Sequence, residues 1–367
     1  MTSRYSRLIL FFTLSMAGFV AYAQPTHYAA TLSLGRVIPI NGSRYEGFTP
    51  EAGLSGDFLW QQDDGSFWTR YWGRPFMGLH AGYYYLFDQL VGNRMELAAV
   101  TQGPIWHGLS YSLVYGFSLY TIPYRRSLIA ENGFIGSYLN CLLSAGLMYE
   151  VQLRNGPALF AAFRVVHSSN GNIYRPNHGL NLIQLDLGIR LPSSRQSDRP
   201  AHPSPLSDSL SRSEIWSLSD RSLFRPSLRP FISVAPSFVS SRTGPISDHT
   251  LYFAYALQAG LSHYFHPCWS YGANLDMMYN YSHVRDHQQG DPRPYFGLSA
   301  FAESHWGRLT MRIGGGHYLD YYRLNWEQWY IRMGGYYSLS RHHRLGVAMK
   351  LHYDHIDFIE WTYMFEF

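Results

Sequence analysis

Lysine is almost absent from this chain: Lys350 stands alone among 29 basic residues, so the other 28 are arginine. Cysteine is nearly as scarce. Cys141 and Cys268 are too few for a disulfide scaffold, and neither sits in a metal-ligand spacing, although a bond between the two stays open in an oxidising compartment. Charge is low, at 15% of residues. Beyond the N-terminus there is no apolar run of about 20 residues, which excludes a helical membrane bundle. Also missing are a phosphate-binding loop, a dinucleotide fingerprint, a zinc spacing and any nucleic-acid module. No cofactor, metal or nucleic-acid partner is therefore expected.

Aromatic residues and glycine are plentiful: 30 Tyr, 22 Phe, 10 Trp and 33 Gly. That content excludes disorder. Mean hydropathy is nonetheless close to neutral. A transmembrane β-barrel has this profile, because its lipid-facing and lumen-facing residues alternate and average out. The first 23 residues read as a signal peptide. Arg4 and Arg7 form a basic region, Leu8 to Val20 an apolar one, and Ala21-Tyr22-Ala23 a small-x-small cleavage site. The expected destination is the cell outer membrane.

Period-two alternation runs through the rest. Leu251, Phe253, Tyr255, Leu257, Ala259 and Leu261 make one face of a strand; Leu345, Val347, Met349 and Leu351 make another, opposite Arg344, Gly346, Lys350 and His352. The chain ends Ile359, Trp361, Tyr363, Phe365, Phe367 on one parity. This resembles the C-terminal strand by which outer-membrane barrels are read by the barrel assembly machinery. The count is about 14–16 strands, all antiparallel, and the class is all-β. Residues 193–228, rich in Ser, Pro and Arg, break the rhythm and read as a linker or long loop. They separate a half over 24–192 from C-terminal strands over 229–367. One continuous barrel is the preferred arrangement; an eight-stranded barrel followed by a second β unit is the alternative.

The most informative segment is Phe163-Arg164-Val165-Val166-His167-Ser168-Ser169-Asn170-Gly171-Asn172, followed by Pro176-Asn177-His178-Gly179-Leu180-Asn181. Arg164 is too costly to face lipid at mid-membrane depth and must point inward. The odd positions, His167 and Ser169 among them, then face outward. On the returning strand Asn181, Ile183, Leu185, Leu187 and Ile189 share one face, against Gln184, Asp186 and Arg190. A hairpin symmetric about residue 174 sets Asn181 opposite His167, with Cβ atoms roughly 4.5–5.5 Å apart. A Ser–His–Asn cluster on the outer wall suits acyl transfer. His167 is the candidate base, Ser169 the candidate nucleophile and Asn181 the candidate orienter. Asn170, Gly171 and Asn172 are candidates for the oxyanion or substrate. The bland alternative is that Ser, His, Asn and Gly are ordinary residues of a strand end.

HSSNG followed by PNHGLN resembles the lipid A 3-O-deacylase (PagL-like) family of outer-membrane β-barrels, whose motif is His-x-Ser-Asn. It is also similar to the acyloxyacyl hydrolases. The stretches Tyr71-Trp72-Gly73-Arg74-Pro75-x-x-Gly78 and Ile135-Gly136-Ser137-Tyr138-Leu139-Asn140 share the likeness, which spans roughly residues 45–192. It implies an outer-membrane carboxylic ester hydrolase that modifies lipopolysaccharide, with lipid A or another membrane lipid as substrate. His167 would be the general base and Ser169 the nucleophile. Asn170 and the backbone after it would line the oxyanion hole. The family carries a glutamate fourteen residues after the histidine, where this chain has Asn181. Glu46, Glu51 or Glu131 could supply the missing acid from a loop, whereas the parity of Asp186 points it into the lumen. The competing reading is a non-enzymatic barrel, a porin-like channel or a structural protein. The oligomeric state is left open.

Overall fold

The computed structural model describes residues 25–38, 49–88, 91–123, 134–154, 156–193, 220–240, 250–282, 294–319, 328–352 and 356–367. The expected signal peptide, Glu46, Glu131, and residues 194–219 of the Ser/Pro/Arg-rich stretch lie outside them.

Among the described residues sixteen strands make two barrels, so the preferred single barrel is corrected to its alternative. The first barrel comprises β1 (His27–Ile38), β2 (Pro50–Gln61), β3 (Phe76–Leu86), β4 (Asn93–Trp106), β5 (Leu109–Tyr120), β6 (Leu139–Gln152), β7 (Ala158–Ser169) and β8 (Leu180–Pro192). The second comprises β9 (Ser227–Ser240), β10 (Leu251–His266), β11 (Trp269–Asn280), β12 (Tyr295–Trp306), β13 (Leu309–Tyr318), β14 (Trp329–Ser338), β15 (His343–Leu351) and β16 (Ile356–Glu366). All pairs are antiparallel, and each barrel closes on itself, β1 against β8 and β9 against β16. Closure removes the edges that an open sheet would expose. A short helix, α1 (Phe67–Tyr71), interrupts the connection between β2 and β3.

Alternation decides which side chains line each lumen. Along β8, Leu185 and Leu187 are 65% and 66% exposed on the outer wall, while Asp186 between them is 3% exposed. The first lumen is filled by paired charges. Arg94 meets Glu51 at 2.9 Å and Glu96 at 2.8 Å, His80 sits between Asp57 and Glu96, and Arg164 meets Asp186 at 2.5 Å. In the second, Arg332 bridges Asp276 and Glu360, Arg312 meets Glu303, and Lys350 meets Asp357. Eight strands leave an interior just wide enough for such side chains to fill. The aqueous channel expected of a wide single barrel is therefore not formed.

The two barrels touch at both ends. At the short-turn end, Trp72 stacks on Trp306 with ring centroids 4.2 Å apart, and its indole N–H donates to the His305 carbonyl at 2.8 Å. Trp269 donates to the Tyr71 hydroxyl at 2.9 Å. Cys268 is buried in this aromatic cluster. Burial pushes its thiol up to about 12, so it stays protonated and inert. Cys141 lies on β6 of the other barrel and both cysteines are free, so the open disulfide is not made. At the other end, the turn after β7 reaches the second barrel.

Candidate active site

The β7–β8 register pairs His167 with Asn181. Both side chains leave the outer wall, as their parity requires. His167 Nδ1 donates to Asn181 Oδ1 at 2.6 Å. That bond places the ring proton on Nδ1 and the lone pair on Nε2. Nε2 is buried and has no hydrogen-bond partner. Gly179 makes room for the ring: a Cβ there would lie 2.7 Å from His167 Cε1, and the residue takes a positive φ of 74°. Both conditions select glycine.

Ser169 ends β7 on the same outer parity and is 3% exposed. Its Oγ is held by Asn177, whose amide donates to it at 3.0 Å, and by the Gly171 N–H at 3.2 Å. Asn177 also accepts from the Asn170 N–H at 3.1 Å. Asn177 lies within the PNHGLN stretch, where the sequence assigns it no role. A loop side chain has no parity to fix its direction, so no signal pointed to it.

Asn170 organises the turn. Its Oδ1 accepts from the backbone N–H groups of Ile173 and Tyr174, and its Nδ2 donates to the Tyr174 carbonyl and to Ser137 Oγ. Both amide hydrogens are thereby used within the protein. The backbone amide that lies beside the Ser169 hydroxyl belongs to Gly171. Gly171 and Asn172 take positive φ of 64° and 63°. Asn172 is turned toward the second barrel, where Ser240 binds its carbonyl.

The residues before β6 support the turn from below. The Gly179 N–H donates to the Phe134 carbonyl at 3.1 Å. A Cβ on Gly136 would lie 2.6 Å from the Pro176 carbonyl oxygen. Ser137 receives Asn170 and also bonds the Leu139 carbonyl at 2.9 Å. Of the candidate substitute acids, Glu51 is deep in the lumen against Arg94 and Gln184; Asp186, whose parity already points inward, is in the lumen against Arg164. Neither shares a face with His167. Among the described residues no group of three metal-ligating side chains occurs.

Residues 51–190 match the family model described as lipid A 3-O-deacylase (PagL), and residues 231–367 match that described as the acyloxyacyl hydrolase C-terminal domain. Solved structures similar to the chain include the outer membrane enzyme PagL, at 21% identity over 45% of this chain and 99% of that one, with a TM-score of 0.29. They also include a variant of the Rh. blastica porin, at 11% identity over 93% of this chain and 99% of that one, with a TM-score of 0.20. No curated protein matches. The two family models divide the chain where the two barrels divide it, and they span most of its length. The chain belongs to the lipid A 3-O-deacylase (PagL) and acyloxyacyl hydrolase family, the ester hydrolases of the outer membrane built as β-barrels.

Proposed function

We propose that this outer-membrane protein hydrolyses an acyl ester of lipid A, or of a related outer-leaflet lipid, by nucleophilic catalysis. The observation that supports this most is the imidazole of His167. It stands on the outer wall with Nδ1 fixed by Asn181 and Nε2 buried and unpartnered, two residues from a serine hydroxyl. A buried acceptor left without a donor is costly. A reacting hydroxyl is the donor that this chemistry supplies.

Ser169 Oγ is held by Asn177 and Gly171 and not by His167, so the reaction requires the hydroxyl to turn from Asn177 to His167 Nε2, a tightening common when substrate binds. His167 Nε2 then takes the hydroxyl proton as Oγ attacks the ester carbonyl. The carbonyl oxygen, now negative, is met by the Gly171 N–H. Collapse breaks the ester bond. The proton on Nε2 goes to the departing sugar alcohol, and the acyl group stays on Ser169. Water, deprotonated by the same nitrogen, releases the fatty acid and restores the serine. Asn181 holds the ring in the correct tautomer but adds no negative charge.

Mass spectrometry of lipid A tests the proposal, using cells that express the wild-type chain or Ser169→Ala. The wild type should yield lipid A lacking one acyl chain, and the variant should leave it intact. Identical acylation in the two would overturn the reading.

A further inference from the structure

We infer that the second barrel is a positioning device for the acyl-transfer turn of the first, acting through Ser240 and Ile359. This rests on the hydrolase reading above and adds to it residues that touch neither the ester nor His167.

The seam between β9 and β16 is unusually short. Backbone pairing runs only from Tyr363↔Val234 to Glu366↔Phe231, four positions, whereas β14 and β15 pair over eight and β13 and β14 over nine. Above Val234 the regular backbone pairing stops, but the strands stay side by side, tied by a side-chain bond: Ser237 Oγ donates to the Ile359 carbonyl at 2.5 Å. This irregular half of the seam is where the turn after β7 of the first barrel arrives. The Ser240 N–H and the Ser240 hydroxyl both donate to the Asn172 carbonyl, each at 2.8 Å. Ile359 lies against Gly171 so closely that a Cβ added to that glycine would overlap its side chain.

Parity shows that these contacts are specific to the turn. On β9 the even positions face outward, and Phe238 is 54% exposed, yet Ser240 is 1% exposed. On β16 the odd positions face outward, and Trp361 is 51% exposed, yet Ile359 is 3% exposed. Each would be a lipid-facing residue if the second barrel stood alone. Gly171 and Asn172, with φ of 64° and 63°, cover both.

The consequence is geometric. Gly171 carries the amide beside Ser169 Oγ, and its direction depends on the two left-handed residues. Two donors on the Asn172 carbonyl and one branched side chain behind Gly171 fix those residues from outside the first barrel. Positioning of this kind counts most in the transition state, where small displacements of an oxyanion donor are expensive.

The test uses the purified full-length chain in detergent micelles, with lipid A carrying its full set of acyl chains as the probe. Ser240→Ala, Ile359→Ala, Ile359→Val and Ser169→Ala are compared with wild type. Folding is read as the SDS-resistant band that disappears on boiling. The loss of one hydrogen bond or of one packing contact should lower kcat about three- to tenfold with KM unchanged, and Ile359→Val should recover most of the loss. The rate of Ser169 labelling by a fluorophosphonate should fall in step. Full kcat in both alanine variants overturns the inference while leaving the hydrolase intact. A raised KM at unchanged kcat also overturns it, since that would make the second barrel a substrate-docking wall. Should Ser240→Ala fail to fold, the Ile359 pair decides alone. A wild type no faster than Ser169→Ala is a different failure, that of the hydrolase reading itself.

Discussion

His167 and Asn181 face each other across the β7–β8 hairpin, joined by a 2.6 Å hydrogen bond from Nδ1 to Oδ1. The amide is a neutral acceptor at a position where the family has a carboxylate. A hydrogen bond to a charged group contributes roughly 1 kcal/mol more than one between neutral groups. That increment appears mainly when the imidazole becomes positive, which is in the transition state. Asn181→Glu should therefore raise kcat about fivefold, and Asn181→Leu, which frees the ring, should lower it at least tenfold. A time course of fatty-acid release from lipid A measures both. Equal rates in all three would remove Asn181 from the mechanism.

Asn177 grips both Ser169 Oγ and the Asn170 N–H. Its removal leaves the start of the turn without its bridge to the β8 side. Asn177→Ala should keep a folded, heat-modifiable barrel and lose about fivefold in kcat, in line with the one lost bond to the Asn170 N–H, since the bond to Ser169 is given up in the reacting state. Asn177→Ser, too short to span both partners, should lose nearly as much. An unchanged rate in either variant would show that the turn is held without Asn177.

The strand phase was legible because one residue anchors it. Arg164 cannot face lipid, so every odd residue of β7 must, and the symmetric hairpin then sets Asn181 opposite His167. The same parity logic placed Asp186 in the lumen, where it pairs with Arg164. Three things were not legible. Closure into two barrels depends on β1 meeting β8 and β9 meeting β16, pairings between distant segments that leave no local periodicity. Ile359 and Ser240 carry outward parity yet are buried, because the covering turn belongs to the other barrel. Residues 61–75, where alternation is blurred, hold α1 and, just after it, Trp72, whose indole stacks on Trp306 and donates to the His305 carbonyl of the second barrel.

The Arg164–Asp186 pair, 2.5 Å apart and sealed in the first lumen, sets up a stability test. Arg164→Met leaves an unpaired carboxylate in a closed interior. Removing one partner of a buried pair costs about 3–5 kcal/mol, whereas replacing both with apolar residues is often neutral. Arg164→Met should therefore lower the temperature at which the SDS-resistant band is lost. The double change Arg164→Met with Asp186→Leu should restore most of it. A double variant as unstable as the single one would mean that the pair is not coupled.

Leu187 and Asp186 are adjacent on β8 but lie on opposite sides of the wall, which tests the membrane-facing surface. An arginine placed on the lipid face near mid-depth costs about 2–4 kcal/mol, and the cost falls toward the interfaces. Leu187→Arg should reduce the folded fraction recovered in phospholipid vesicles by that amount. Leu191→Arg, near the short-turn end, should be tolerated much better. Equal effects at both depths would mean that the outer wall of β8 does not meet hydrocarbon.

Arg332 spans the second lumen between Asp276 at 2.8 Å and Glu360 at 2.9 Å, and Arg94 holds Glu51 and Glu96 across the first. An ion crossing either barrel would have to part these pairs in a closed interior, where charges attract far more strongly than in water. A sixteen-stranded ring would leave an aqueous channel, but two rings of eight leave none. The purified chain in a planar bilayer should therefore give no steady conductance steps at high salt, with ester hydrolysis intact in the same preparation. Steady steps that persist in Ser169→Ala and disappear on denaturation would show an open lumen. The charge-filled interiors would then have to rearrange in the membrane.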